Sequence, residues 1–483
     1  MINNKYIKNI MLELPLHNNE VVPQSVNELS QKKKIKDYSY YMDQIGFTSM
    51  AWIIFTLASF LQFIWGQEAC FISINIDFLG KSQKINQQTI SLCVCLLYSM
   101  MGIGSALVGI LTKNFGRIIT LHVTILIHLI ATVLCSSFMF GLNFYVVLVF
   151  RCINNIAIGI FNIVVLNLMS EFFPTKNRCL VLMINSGFYN LGNLYTILIN
   201  NALLDLDKFN SLHWRIVNYI TLIPGIVSMF ILTCLGSESP LYLLNKNRQT
   251  EGFAVLENMS QRRFTDEEKA EIITSISSKK NYKLKSNYSE LFISEYIILT
   301  ISSLIICSIC YLNMIGISYL IPKTLQSLKK EIYNVSYNTQ IFIYGVIQLP
   351  NGFIGGFMTE NKFFGRKKTI WFSALMCALF YFISAFWMKY VAIYAGMIML
   401  FNSICFGCGF IYVTEVFPTN LRDQAQSFIQ CFSFLLGSWS PYVVDAFTFK
   451  SSYIFFGVTN LVCIIVTFIL PVDTLLRPLD EDL

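Results

Sequence analysis

The sequence predicts an all-α polytopic membrane protein, with twelve transmembrane helices arranged as two six-helix bundles. Three observations predict it. The chain is 55% hydrophobic and only 13% charged, with a mean hydropathy of +0.57, whereas soluble domains carry about twice that charge fraction. Apolar runs near or above the ~18 residues that cross a bilayer recur along its whole length. Two charged phrases are each written twice, in the same order and at matching places. Backbone in lipid must satisfy its own polar groups, so the runs are read as helices. A barrel would need short segments of alternating polarity, and the sequence has none.

Taken in order, the runs fall at about 48–74, 88–112, 117–140, 143–169, 179–203, 214–236, 295–321, 337–358, 369–388, 391–414, 424–449 and 452–471. The fifth is rich in Asn and the eleventh in Ser. They divide the chain into a segment 1–47, a first bundle 48–236, a polar stretch 237–294, a second bundle 295–471 and a tail 472–483. Within the polar stretch, Thr265 followed by Glu268 forms a capping box, and Asp266 and Glu267 suit the positive start of a helix. One or two short amphipathic helices are expected there.

Lys and Arg orient the chain. The termini and the loops on their side hold 25 of the 35, and the opposite loops hold 8. Positive residues stay inside, so both termini are expected in the cytosol. The net charge of +7 is spread over many short loops, which makes it a topology signal rather than a nucleic-acid surface. No short apolar core with a cleavage site opens the chain, so no removed signal peptide is expected. Nearly all of the 14 cysteines lie inside predicted spans. The pairs Cys307/Cys310 and Cys405/Cys408 have no His beside them and read as packing residues rather than a zinc site. No P-loop is present, and His122 and His128 have no acidic neighbour in sequence; no cofactor, metal or catalytic site is expected.

The repeated phrases carry more. "KNFGRIIT" at 113–120 and "KFFGRKKT" at 362–369 both read K-x-F-G-R-x-x-T. "EFFPTKNR" at 171–178 and "EVFPTNLR" at 415–422 both read E-x-F-P-T-x-x-R. Each half therefore places G-R after its second span and the acidic phrase after its fourth. A parallel repeat of six spans is a transporter layout, with two bundles related by an axis along the membrane normal. Glu171 and Glu415 end long helices, where a negative charge opposes the dipole and calls for cations. Arg117 and Arg178, then Arg366 and Arg422, are the candidates. Two clusters that hold the cytosolic ends together are expected. A positive-inside bias alone would explain these Arg residues, but neither the acids nor the repeated spacing.

These residues resemble the major facilitator superfamily, and within it the branch of sugar porters, organic-ion transporters and synaptic vesicle protein 2-like proteins. The resemblance covers residues 40–480. "SESPLYLL", with Glu238 and Pro240, is similar to the phrase after helix 6 in relatives, which adds Glu238 to the gate. "PVDT" with Asp473 is similar to the end of helix 12, "DQIGF" at 43–47 to the approach to helix 1, and Arg151 to the arginine opening the helix 4 motif. Lys113 stands where the first G-R loop usually has an Asp, and Glu360 lies two residues further from its Gly than that acid would. Leu241 replaces the Arg after "SESP". The Gln-Gln phrase of hexose porters is missing from helix 7, and Phe434 stands where organic-cation transporters carry an acid. The resemblance implies a secondary transporter of a small polar solute, organic ion or sugar-like, working by alternating access as a monomer. A proton is the candidate coupling ion. It implies no enzyme and no nucleic-acid partner, and the plasma membrane or an internal vesicle membrane as its place. A transport-silent receptor or vesicle scaffold is the alternative, which Lys113 keeps open.

Charged and polar residues inside spans mark the candidate path. Arg151 should face a partner or a wet cavity, with Asn155 and Asn162 near the same face, or else snorkel to the outer interface. Glu68 would bind a cation or a proton, or else lie at that interface. Asp445 reads as interfacial. Polar stripes run through Asn185, Tyr189 and Asn193, through Tyr344, Gln348 and Asn351, and through Gln426, Gln430 and Ser433. They would line a midplane cavity or serve helix packing. Trp439 and Tyr442 are cavity aromatics or interface anchors.

Overall fold

The computed structural model describes residues 38–470 apart from 138–141, 175–177, 205–208, 281–287, 295, 329–335 and 418. The basic run 31–36, His17, Pro418, Asp473 and the tail 472–483 lie outside the described residues.

Twelve membrane-crossing helices follow one another, and no strand occurs among the described residues. Ten are long and apolar enough to cross a bilayer by length and composition: Ser49–Ser82 (span 1), Gln87–Phe115 (span 2), Arg117–Ser136 (span 3), Phe144–Phe172 (span 4), Ser211–Leu235 (span 6), Ile297–Leu328 (span 7), Tyr337–Glu360 (span 8), Gly365–Phe386 (span 9), Met388–Val416 (span 10) and Phe449–Ile469 (span 12). Span 5, Arg178–Leu203, and span 11, Thr419–Gly437 continued by Ser440–Ala446, are too polar for that test. They are the Asn-rich and Ser-rich runs. Their polar side chains face other helices, as Asn185, Asn190, Asn193, Gln426, Gln430 and Ser433 are all buried. Large apolar side chains face outward instead, Phe230, Phe353, Phe357 and Phe468 among them, which is the arrangement lipid stabilises.

Local chemistry sets the helix ends. Thr48, Asn86, Asn143, Asn210, Ser336 and Thr448 each cap a helix start by accepting a backbone N–H, worth about 1 kcal/mol apiece. Small residues set the packing. A Cβ on Gly66 would lie 1.8 Å from the Tyr189 carbonyl oxygen, and one on Gly192 2.0 Å from that of Phe63. Spans 1 and 5 therefore touch backbone to backbone, as small residues permit in membranes. The two halves meet along spans 2 and 11 and along spans 5 and 8.

Between 245 and 293, where one or two short helices are expected, two α-helices form, Gln249–Ser260 and Asp266–Lys280, and the short helix Pro240–Asn245 precedes them. The capping box forms: the Glu268 N–H donates to Thr265 Oγ1 at 3.3 Å, and the Thr265 N–H donates to Glu268 Oε2 at 3.0 Å. A further helix, Tyr38–Ile45, docks on this layer. The Tyr41 hydroxyl donates to Glu271 at 2.8 Å, and its ring meets Phe264 edge-on.

Candidate functional site

The repeated phrases lie at one end of the bundle. In the first half, Arg117 pairs with Glu171 at 2.8 Å. Glu238 caps the start of span 3, accepting from the backbone N–H groups of Arg117 at 3.2 Å and Ile118 at 3.1 Å, where the helix dipole favours an anion. This explains the glycine of G-R. Gly116 sits at φ +86°, and a Cβ there would lie 2.6 Å from the Glu238 carboxylate. In the second half, Arg366 grips Glu415 with two bonds, 3.1 and 3.0 Å, and the Thr359 carbonyl at 3.1 Å. Glu360 lies 3.8 Å from Arg366. Arg178 and Arg422 cross between the halves: the charge of Glu415 acts on Arg178 and that of Arg422 on Glu171. Lys113 is exposed and takes no part in the cluster.

One member of this cluster escaped the sequence reading. Asp423 follows Arg422, where the first half has Cys179. It accepts from Asn167 of span 4 at 2.7 Å and lies 3.8 Å from Arg117, so it ties the second half to the first. Comparing the residue just after each copy of the phrase would have revealed it.

The opposite end is also bridged. Lys323 of span 7 pairs with Asp445 of span 11 at 2.5 Å and lies 4.0 Å from Asp77 of span 1. Asp445 further accepts from the hydroxyls of Ser91 and Tyr319, the latter at 3.2 Å. Gln87 of span 2 donates to Asp77 at 2.9 Å. Asp445 is thus also a link between the halves, its carboxylate satisfied by neighbours on spans 2 and 7. Trp439 and Tyr442 are exposed, the place of interface anchors.

Glu68 and Arg151 find each other inside the first half. Both are buried, and Arg151 donates to Glu68 and to Asn218 of span 6. The guanidinium lies 3.8 Å from the centre of the Phe71 ring. The second Glu68 oxygen, Oε1, has no partner. Neither residue lines the cavity between the halves, as the sequence reading expected. An unpaired charge buried there would be costly, so the two turn toward each other.

That cavity lies between the two bridged ends. Its walls include Gln62, Trp65, Asn162 and Tyr189 from the first half, and Phe406, Phe410, Gln426 and Gln430 from the second. No Asp, Glu, Lys, Arg or His is among its lining residues. Of the candidates, Asn162, Tyr189, Gln426 and Gln430 line it. The others serve packing or lie behind its walls. Asn185 donates to Ser59 at 3.3 Å, the Gln348 carbonyl accepts from Asn190 at 3.1 Å, and Asn155, Asn193 and Tyr344 are buried away from the cavity. Gln62 was missed. Its signal was an amide in an apolar helix, one turn before Trp65 and six residues before Glu68.

The cysteine pairs regroup across helices. Cys310 and Cys405 lie 3.4 Å apart, and with Cys463 their sulfurs fall within 4.8 Å of one another, all buried between spans 7, 10 and 12.

The comparisons agree with this architecture. The chain is 20% identical over 439 residues to the arabinose-proton symporter of Bacillus subtilis, covering 86% of this chain and 91% of the other. It is 23% identical over 347 residues to the niacin transporter NiaP of Acinetobacter baylyi, covering 71% and 75%. Among solved structures, the proton:xylose symporter XylE bound to 6-bromo-6-deoxy-D-glucose superposes with a TM-score of 0.74 at 18% identity, over 90% of this chain and 98% of the other. An inward-open conformation of XylE from E. coli scores 0.66 at 18% identity, over 88% and 97%. A family model described as sugar (and other) transporter matches residues 40–482. The chain belongs to that family, within the major facilitator superfamily, and is a secondary transporter of small polar solutes.

Proposed function

We propose that the chain carries a small uncharged polar solute by alternating access, with the phrase end facing the cytosol and a proton as the coupled ion. One observation carries this reading: charged pairs, Arg117 with Asp423 and Lys323 with Asp77, bridge the halves at both ends of a cavity whose lining holds no charge. Removing a charged solute from water into such a cavity costs several kcal/mol in real proteins, so the walls select against ions. Gln62, Asn162, Gln426 and Gln430 supply hydrogen bonds, and Trp65 and Phe406 supply flat apolar surface. Opening either latch exposes the solute to one side only.

Glu68 is the proton site in this reading. Protonating it leaves the Arg151 charge with neutral neighbours, Asn218, Cys135 and the Phe71 ring. Breaking a buried pair costs about 3–5 kcal/mol, which favours a shift of span 1 against span 4. Gln62 and Trp65 lie on that same span 1, and Asn162 on span 4, so the shift reaches the solute. The arabinose-proton and xylose relatives support a proton as partner. The 25-to-8 distribution of basic residues supports cytosolic termini. The fold supports both plasma-membrane and vesicle placement, and the cavity argues against a scaffold.

The test is flux in proteoliposomes. Wild-type protein should accumulate solute uphill when a proton gradient is imposed. Glu68→Gln should lose accumulation at least tenfold and lose its pH dependence, while keeping solute exchange. Accumulation unchanged in that variant would remove Glu68 from coupling.

A further inference from the structure

The cavity walls say more about the solute than that it is small and uncharged. Several polar groups on them are already engaged. Gln62 Nε2 donates to Asn162 Oδ1 at 2.9 Å, and Gln430 Nε2 to the Tyr311 hydroxyl at 3.4 Å. Ser403 and Asn190 bond each other at 3.2 Å. The Ser186 and Thr414 hydroxyls donate to their own helix carbonyls at 2.7 and 2.6 Å. Two buried side-chain atoms on the walls have no partner: Gln62 Oε1, an acceptor, and Gln426 Nε2, a donor. Gln62 is 3% exposed and Gln426 1%, so water does not readily satisfy them. One belongs to each half.

The rest of the wall is aromatic. Trp65 packs against Tyr189 at 4.6 Å between ring centres and against Phe406 at 5.8 Å. Phe406 packs against Phe410 at 4.6 Å, and Tyr311 lies behind, 4.7 Å from Phe406. Rings from both halves thus form one apolar surface in the same wall as Gln62 and Gln426. Planar solutes gain from stacking on such rings.

From this we infer that the preferred solute is a neutral planar heteroaromatic ring bearing an amide or lactam edge, held between Gln62 of the first half and Gln426 of the second. The inference rests on the transport reading above and names its solute class. An amide edge presents one donor and one acceptor side by side, matching one free acceptor and one free donor. A polyol carries several hydroxyls around its rim. Here much of its rim would face rings, and each hydroxyl left without a partner lowers affinity. A carboxylate analogue of the same ring would bring a charge that no cation on the wall balances. Because the edge touches both halves at once, the solute would also draw the two bundles together as the cavity closes.

The experiment uses the purified full-length chain and measures equilibrium binding of radiolabelled nicotinamide and uracil, with nicotinate and glucose as competitors. Saturable binding of either labelled probe is expected. Nicotinate, which differs from nicotinamide in charge, should compete at least about 100-fold more weakly than unlabelled nicotinamide, and glucose should not compete. Gln62→Ala and Gln426→Ala should each weaken binding about tenfold without changing the unfolding temperature of the empty protein beyond a few degrees. Gln426→Glu provides a second variant in case the truncations fold poorly. It should turn preference toward the 1-methylnicotinamide cation. Saturable glucose binding that depends on Gln62 and Gln426, with no binding of nicotinamide or uracil, would overturn the solute class and leave the transport reading standing. Binding of the labelled probes without flux in proteoliposomes would support the class and overturn transport. Absence of binding by both probes overturns the inference whatever glucose does.

Discussion

In the first half, spans 1, 4 and 6 meet at Glu68, Arg151 and Asn218. In the second, the corresponding spans 7, 10 and 12 meet at Asn313, Asn402 and Asn460. There the Asn460 amide donates to Asn313 at 3.0 Å, and Asn402 donates to the Cys310 carbonyl at 3.0 Å. The same three-helix junction is thus ionic in one half and neutral in the other. Charge follows a related division at the phrase end. The second half clamps its own Arg366 with a two-bonded Glu415 and sends Asp423 across to the first. The first half holds Arg117 with one bond to Glu171 and leaves Glu238 to cap a helix. The repeat supplies the frame, and the departures from it supply the switch. A neutral junction keeps its bonds at every pH, whereas a buried carboxylate can take up a proton. In the proposed reading, coupling therefore belongs to the first half.

The largest effect should come from breaking the ionic junction. Arg151→Met leaves Glu68 buried without a counter-charge and should cost about 3–5 kcal/mol of stability. Glu68→Gln with Arg151→Met removes both charges and should recover most of that loss. Asn313→Ala at the neutral junction should cost only about 1–3 kcal/mol. Denaturant unfolding in detergent gives all three numbers. Equal losses for Arg151→Met and Asn313→Ala would erase the distinction between the halves.

The acids of the two phrases come next. Glu415 grips Arg366 with two bonds and Glu171 holds Arg117 with one, while each Arg has a second acid at 3.8 Å, Glu360 and Asp423. Glu415→Gln should therefore slow exchange roughly 10- to 100-fold, the span of a coupling of ~1–3 kcal/mol. Glu171→Gln should slow it only about fivefold. Exchange rates in proteoliposomes separate the two, and a larger loss in Glu171→Gln would reverse the assignment of the stronger latch.

Much of this frame was legible in the sequence because bilayer thickness and backbone hydrogen bonding leave few solutions. Apolar runs gave ten spans by hydropathy alone. Spans 5 and 11 stood out less among the apolar runs, since Asn185, Asn193, Gln426 and Gln430 lower their hydropathy while buried against other helices. The doubled phrases located Arg117, Glu171, Arg366 and Glu415, because a carboxylate at a helix C-terminus needs a cation wherever the helix sits. Partner choice was not legible. Glu68 and Arg151 are 83 residues apart, and nothing local to either says that spans 1 and 4 bring them together. Asp445 looked interfacial for the same reason: Lys323, which pairs with it, is 122 residues away. The cavity wall was legible in part. Asn162, Tyr189, Gln426 and Gln430 stood in polar stripes, but a stripe has the same spacing whether it faces a neighbouring helix, as Asn185 does, or a void.

The smallest effects should carry the clearest sign. Asp423 ties the halves at the phrase end, and Asp445 ties them at the other. Asp423 is about a quarter exposed, with its side chain at 24%, so solvent screens it and its link is worth ~1 kcal/mol or less. Asp445 is better buried, at 13%, is held by Lys323 and Tyr319 of its own half, and takes the Ser91 hydroxyl bond across the halves, so its less screened link should be stronger. Each Asp→Asn change weakens closure at one end only. Asp423→Asn should raise the population open at the phrase end, by up to about fivefold, and Asp445→Asn should raise the population open at the opposite end by somewhat more. Spin labels placed across each end and read by distance measurement in proteoliposomes report both populations. The two substitutions lie at opposite ends of the bundle, share no partner, and should be nearly additive. The double variant should then lean slightly toward the end that Asp445 guards, with the occluded state depleted. Shifts in the same direction from both single variants would mean that the two ends are not opposed latches, and the alternating-access reading of the charge pattern would fall with them.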